Sequence, residues 1–306
     1  SKWGSPMDDS TVHELVQRAG AGAEAQTQAR LKTVPQEIAP ARAPSALVVA
    51  MVDGWMARFR GPGWGREKTD EPRVAWHELK TGVFYRHEQA SVNASGRGLL
   101  AEKVVVSWQG EAVALGERLH HEAIRRGLGR ALDLEAVGDG AAWIWNLVAD
   151  RFAGARQRLD PWHALQHLWA VAHALHPEDD AAAQAWLQPL KAKLLASQTA
   201  EVIDELDSLL TRLRGARRAA VQAERNYLEN NRDRLDYHGA EKRGEPLGSG
   251  AMESTCKQYQ CRFHRSGQFW TTAGDEALMC LETFWRNGRW SLLFPHVPRD
   301  FDPSRN

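Results

Sequence analysis

The chain has 306 residues, with 39 Lys and Arg against 39 Asp and Glu and a formal net charge of zero. That length allows one large domain or two smaller ones, and 25% charged with 43% hydrophobic residues excludes a wholly disordered or collagen-like chain. A neutral total gives no long-range pull on a polyanion, so a nucleic-acid partner must be met by a local basic face. Three cysteines cannot build a disulfide framework and suit a reducing compartment, and there is neither a run of about 18 apolar residues nor a signal peptide. A soluble cytoplasmic protein without a membrane segment is expected.

Taken in chain order, Ser10 to Leu31 reads as an amphipathic helix, and the Pro- and Ala-containing stretch from Val34 to Pro44 as a linker. The run ALVVAMV from Ala46 to Val52 is continuously apolar and ends at Asp53-Gly54, as expected of a first strand buried on both faces. After a Gly- and charge-rich loop from Arg60 to Pro72, Arg73 to His87 is a second strand with a bend or bulge at Thr81-Gly82, and Glu102 to Trp108 a third. Gln109 to Leu128 then reads as a helix. Leu132 to Val137 is a strand, Ala141 to Phe152 a helix and Ala155 to Leu159 a fifth strand, an α/β organisation.

From Trp162 to Glu241 nothing resembles a strand, and helix formers dominate three or four stretches. Charge is uneven there: Glu178 to Thr211 has seven acids against two Lys, whereas Arg212 to Arg243 has nine bases against five acids. Two closing helices, Ala251 to His264 and Thr271 to Arg286, precede a loose tail from Pro295.

Acids that follow strands are the first place to look for chemistry in such a sheet. Asp53 and Asp139 both qualify, as MVDG and VGDG, where Gly lets the chain turn and leaves the carboxylate exposed. The plainer alternatives are ordinary Asp-Gly turns, with Asp139 capping the next helix. The third acid, Glu253, lies in the first turn of a helix after a glycine-rich approach, where the helix dipole alone also accounts for it. Lys257, one turn on, is either its i,i+4 ion-pair partner or a phosphate contact. Three converging carboxylates repel one another unless a multivalent cation is bound, and oxygen-only ligation points to Mg²⁺ or Mn²⁺. A pair of such ions suits in-line displacement at phosphodiesters.

The segments MVDGWM, WHELKTGVFYRHE, VGDGAAWIWN, LDPWHALQHL, GEPLGSGAMESTCKQ and NGRW, in this order from Val48 to Trp290, resemble the Kra-type DDE transposases of bacterial insertion sequences, distantly related to Mutator-like elements. The resemblance implies an RNase H-like mixed sheet flanked by helices, with metal-binding acids at Asp53, Asp139 and Glu253 and two Mg²⁺ or Mn²⁺ ions. Asp53 would bridge both ions while the other two acids each complete one coordination shell. It further implies cleavage of transposon-end DNA and transfer of the exposed 3′ hydroxyl into target DNA, by a homodimer or higher oligomer associated with the nucleoid. Asp160 and His163 match the Asp-x-x-His signature of the Mutator relatives.

The interval between Asp139 and Glu253 exceeds what that fold needs, so an all-α insertion domain is expected between the fifth strand and the helix carrying the third acid. The expected organisation is an N-terminal helix and linker at 1–44, a catalytic domain at 45–161 and 246–290, the insertion at 162–245 and a tail at 291–306. Arg212, Arg214, Arg217, Arg218 and Arg225, with Arg232 and Arg234 beyond them, are candidates for gripping phosphates, unless they form a solvated face balanced by Glu224, Glu229 and Asp233. Lys257 and Arg262 are candidates beside the third acid. A catalytically silent DNA-binding derivative, or a nuclease or resolvase on the same fold, is the alternative.

Other constellations are weaker. His163 and His167 are four apart, but HALQH lacks the Glu of a zinc protease, and Cys256, Cys261, His264 and Cys280 lack zinc-ligand spacing. Of the 13 Trp, most are expected to pack the core, with Trp55 and Trp64 the candidates for stacking on a base.

Overall fold

Residues 8–38, 45–96 and 98–295 are described by a computed structural model, so linker residues 39–44 and the tail from 296 onward lie outside the described residues. In chain order the elements are α1 (Asp9–Leu31), β1 (Val48–Arg60), β2 (Val74–Arg86), β3 (Ala90–Val92), β4 (Gly98–Leu100), β5 (Val104–Gln109), α2 (Ala112–Arg125), β6 (Leu134–Gly138), α3 (Ala142–Arg151) and β7 (Arg156–Leu159). Helices α4 (Pro161–Leu175), α5 (Asp180–Leu195), α6 (Thr199–Arg212), α7 (Gly215–Asn230) and α8 (Tyr237–Lys242) come next. Last are α9 (Gly250–Phe263), α10 (Thr272–Arg286) and α11 (Trp290–Leu293). The chain divides into two compact units, Ser1–Asp133 with Ala251–Asn306, and Leu134–Gly250.

In the first unit β1 and β2 pair antiparallel along their whole length, from Val48 opposite Arg86 to Arg60 opposite Val74, and β5 pairs antiparallel with the other edge of β2. Val48 to Val52 are buried, as β-branched and apolar residues between two covered faces should be. Beyond them β1 continues rather than turning, which corrects the expected end at Val52. Trp55, Ala57 and Phe59 are buried while Met56 and Arg60 are exposed, the period-2 signature of a strand with one solvated face. The bulge expected at Thr81-Gly82 is absent from the register. Gly82 instead makes room for α2, since a Cβ there would lie 2.6 Å from Leu119 Cδ2.

The α1 helix packs along α10, with Gly20 and Ala23 buried in the contact. A Cβ on Gly20 would stand 2.5 Å from the Cα of Ala277, so only glycine allows this approach. Small two-stranded β3–β4 is an exposed hairpin that the Ser-, Asn- and Gly-rich sequence hides as loop.

The second unit holds the parallel pair β6–β7, with α3 packed on β6, and the five helices from 161 to 242. Leu165, Leu168, Val171, Leu187, Leu190, Leu194, Val202, Leu206, Leu210, Val221 and Leu228 form its core. Its boundaries take β6, α3 and β7 together with the helical block, whereas the sequence reading groups these three elements with the earlier strands. Antiparallel and parallel pairs with flanking helices make the chain a mixed α/β protein, compatible with the RNase H-like expectation. No helix among the described residues is long and apolar enough to cross a membrane.

Packing around α1 and α10 can be tested at two places. Gly20→Val should destabilise the fold by roughly 1–3 kcal/mol through overpacking, whereas Gly22→Ala, which meets nothing within 4 Å, should be neutral or stabilise by up to about 1 kcal/mol; urea unfolding reads both. Asp275 is fully buried with neither carboxylate oxygen hydrogen-bonded, and burial, helped by the neighbouring Glu276, pushes its pKa to about 8. The folded state therefore holds a proton that the unfolded chain releases near pH 4, and stability should fall as pH rises through that interval toward 8. Asp275→Asn should flatten this fall in unfolding free energy measured against pH.

Candidate active site

Asp53 lies within β1, opposite Thr81, at the point where the strand changes from two buried faces to one. Its carboxylate is therefore presented from a strand, and the sequence-based picture of an acid in a turn after the strand is corrected. Asp53 Oδ1 accepts the Gly54 N–H at 2.7 Å, and the Cys256 thiol donates to Oδ2 at 3.7 Å. Cys256 is buried, and burial together with the charge of Asp53 pushes its thiol well above the usual range. It is a neutral donor there.

The contact arises from the pattern of α9, whose buried residues Met252, Thr255, Cys256, Tyr259 and Phe263 recur at helical spacing. Tyr259 and Phe263 pack on Trp55, with ring centroids 6.0 and 5.7 Å away. The Trp55 indole N–H donates to Thr81 Oγ1 at 3.0 Å, and Thr81 shares a hydrogen bond with Ser107 at 2.8 Å. Trp55, 4% exposed, is thus a core residue and is removed as a base-stacking candidate.

Glu253 stands three residues before Cys256 on α9, so its Cβ lies about 5–6 Å from that of Cys256. It is exposed, and Lys257 Nζ donates to its Oε1 at 2.6 Å. The i,i+4 pair is the arrangement seen. Arg262, on the same helix, pairs with buried Glu282 at 2.6 Å.

Asp139 belongs to the second unit, directly after β6. Its Oδ1 accepts the Ala141 N–H at 2.8 Å in a side-chain turn, and the N-cap of α3 is Ala141. The alternative in which Asp139 caps that helix is therefore corrected. The Tyr227 hydroxyl donates to the Asp139 carbonyl at 2.6 Å, and burial and the charge of Asp139 raise the phenol above its ordinary range. Gly140 has φ +95°, and a Cβ on it would lie 2.2 Å from the Tyr227 hydroxyl. Only glycine serves this turn.

Asp160 is 3% exposed and caps α4. One oxygen accepts the N–H groups of Trp162 (2.7 Å) and His163 (3.3 Å); the other accepts the N–H and hydroxyl of Ser249 at 2.6 and 2.7 Å. The Asp-x-x-His spacing is thus a capping geometry that also pins the residue before α9. His167 stacks on Tyr227 and pairs with Glu224.

The arginine candidates separate into two groups. Arg212, Arg214, Arg217 and Arg218 are exposed around the start of α7. Arg225 is held by Asp207 at 2.8 and 2.9 Å and lies near Glu229, Arg232 pairs with Glu229, and Arg234 covers the Trp145 ring and donates to Gln157. Sequence reading missed the buried pairing of Arg158 with Glu135 and Glu245, at 2.8 and 2.7 Å. Burial works to raise the Glu245 carboxyl, but hydrogen bonds from Arg243 and Arg158 hold it down at about 2.

Among the described residues no three His, Cys, Asp or Glu side chains are gathered into a preformed cation site. Asp53 and Glu253 lie in one unit, Asp139 in the other. The carboxylate donor set of the three suits a hard divalent cation.

No protein-family model and no curated protein matches the chain. Among solved structures, a Drosophila P element transposase strand transfer complex aligns over 97% of this chain and 82% of its own, with a TM-score of 0.26 and 10% identity. At that score the likeness supports neither a fold nor a function.

The three cysteines are free and differ in burial. Exposed Cys261 should react with a disulfide reagent in the folded protein, while Cys256 and Cys280, whose thiols burial pushes up, the latter to about 12, should react only on unfolding. Time-resolved thiol titration of single-cysteine variants checks this.

Proposed function

We propose that the chain is the catalytic core of a DDE-type transposase, cutting transposon-end DNA and joining the exposed 3′ hydroxyl to target DNA. One observation carries the reading: Cys256, one helical step from Glu253, touches the Asp53 carboxylate, so the helix that bears the third acid packs against the strand that bears the first. The motif order from Val48 to Trp290 supports the same assignment, as does the mixed α/β scaffold.

Asp53, Asp139 and Glu253 would hold two Mg²⁺ or Mn²⁺ ions, whose chemistry when bound is to activate the attacking oxygen and stabilise the departing one. Glu253 must exchange Lys257 for that role. Being exposed, the pair costs little to break, within about 1 kcal/mol. The released ammonium is then placed to meet a phosphate. Asp53 is held from a paired strand with a neutral thiol against it, which fixes its direction without a competing charge. Asp160, by capping α4 and binding Ser249, positions the chain entering α9. Arg212, Arg214, Arg217 and Arg218 would contact the DNA backbone, and a homodimer or higher oligomer would bring two ends together in the nucleoid.

Incubating a labelled end substrate with Mg²⁺ tests the reading. Asp53→Asn and Glu253→Gln should each reduce cleavage by at least about a hundredfold while leaving the circular dichroism unchanged, and chelation of the metal should abolish it. Cleavage without joining would indicate a nuclease or resolvase. Full cleavage by Asp53→Asn would refute the assignment.

A further inference from the structure

The second half of β1 buries its odd-numbered residues, Trp55 against α9, and turns Met56, Arg58 and Arg60 the other way. Opposite them on β2 stand Glu78, Trp76 and Val74. On the other side of β1 the segment at Trp270 joins as a single parallel bridge to Phe59, with Arg60 N donating to Trp270 O and Trp270 N to Arg58 O, each at 2.9 Å. Phe269, next to it, faces the same way as the arginines: the Arg58 guanidinium lies 5.1 Å from its ring. Trp64 from the loop after β1 packs against Phe269, with ring centroids 4.7 Å apart and planes tilted by 46°, and Arg60 lies 5.5 Å from the Trp64 ring. The result is an outward row of three aromatic rings and two guanidinium groups: Trp76, Arg58, Phe269, Trp64, Arg60.

This row is not hidden. Trp76 is 57% exposed, Trp64 39% and Met56 44%, on a chain whose other tryptophans are mostly covered. A large apolar ring left in water costs free energy that burial would recover, and adjoining exposed rings mark a surface with a partner.

Glu78, the carboxylate that stands on this face, is paired with Lys80 at 2.9 Å. No carboxylate side chain occurs between Asp53 and Glu67, nor between Glu253 and Asp275; of the bases in these two stretches Arg66 pairs with Glu71, Lys257 with Glu253 and Arg262 with Glu282. Arg58 is committed to the carbonyls of His264 and Arg265, and so stiffens the row. Arg60 and Arg265 are exposed. Exposed flat rings beside the exposed guanidinium groups of Arg60 and Arg265 match a polynucleotide whose bases are unpaired: rings take the base faces and cations the phosphates. A duplex buries its base faces and could use only the cations.

We propose that this face of the β1–β2 ribbon docks a single DNA strand, with bases on Trp64 and Trp76 and phosphates on Arg60 and Arg265. The inference deepens the transposase reading, on which it rests for the identity of the polymer. It places the unpaired strand along the same two segments that begin with Asp53 and Glu253.

The test is fluorescence anisotropy of a labelled oligothymidylate of roughly 15 nucleotides with the full chain, in chelator so that no cleavage intervenes. Trp64→Ala and Trp76→Ala should each weaken binding by about tenfold, Trp64→Phe should keep it within about threefold, and Trp162→Ala, which removes an exposed tryptophan of the other unit, should leave it unchanged. A duplex of the same length should be insensitive to Trp64→Ala. Wild-type affinity in both alanine variants, equal sensitivity of Trp64→Phe, or no binding of the single strand by the wild-type chain would overturn the proposal. Asp53→Asn separates the two readings. If it binds normally yet still cleaves, the catalytic assignment fails and the strand-binding face stands.

Discussion

Packing of α9 on the second half of β1 governs everything proposed for the site. Trp55 is the pivot: it buries its ring against Tyr259 and Phe263 and satisfies its N–H on Thr81, so it cannot rotate away without exposing an aromatic surface and stranding a buried donor. With Trp55 fixed, the register between helix and strand is fixed too, and it sets Cys256 against Asp53. The acid on the strand and the acid on the helix are then governed by one contact. Loss of that contact would scatter the chemistry even if every other element folded.

Charge is distributed with equal economy. The chain has as many acids as bases, and much of this charge is used internally. Glu122, buried on α2, takes Arg30 from α1 at 3.0 Å and Arg289 from beyond α10, tying the termini of the first unit to its centre. Glu245 takes Arg156, Arg158 and Arg243 in the second unit. Breaking such a pair on one side leaves an uncompensated buried charge, so these arginines are structural. What remains on the surface includes the exposed arginines around the start of α7 and Arg60 and Arg265 beside the β1–β2 ribbon. A neutral total can therefore coexist with polyanion binding.

Much of the fold was legible in sequence because local patterns and tertiary packing agree. The continuous apolar run at Val48 to Val52 and the helical spacing in α2 required no long-range knowledge. The extent of β1 was missed although WMARFR alternates cleanly, because Asp53-Gly54 reads as a turn; cross-strand pairing with Thr81 and Lys80 overrides that preference. Hairpin β3–β4 has no buried face and so no periodic signal. The three acids were legible as residue types, whereas the exchange partner of Glu253, the thiol at Asp53 and the capping role of Asp160 depend on contacts that only the folded chain makes. The Arg-rich half could be counted but not sorted, since whether an arginine meets Asp207 or solvent is decided by helix packing.

Diffraction from crystals of the protein with end DNA and Mn²⁺, recorded for anomalous scattering, addresses the central claim most directly. Manganese peaks are expected within coordination distance of carboxylate oxygens of Asp53, Asp139 and Glu253, with Glu253 turned away from Lys257. Manganese bound elsewhere, with Glu253 still paired to Lys257 while DNA is present, would contradict it.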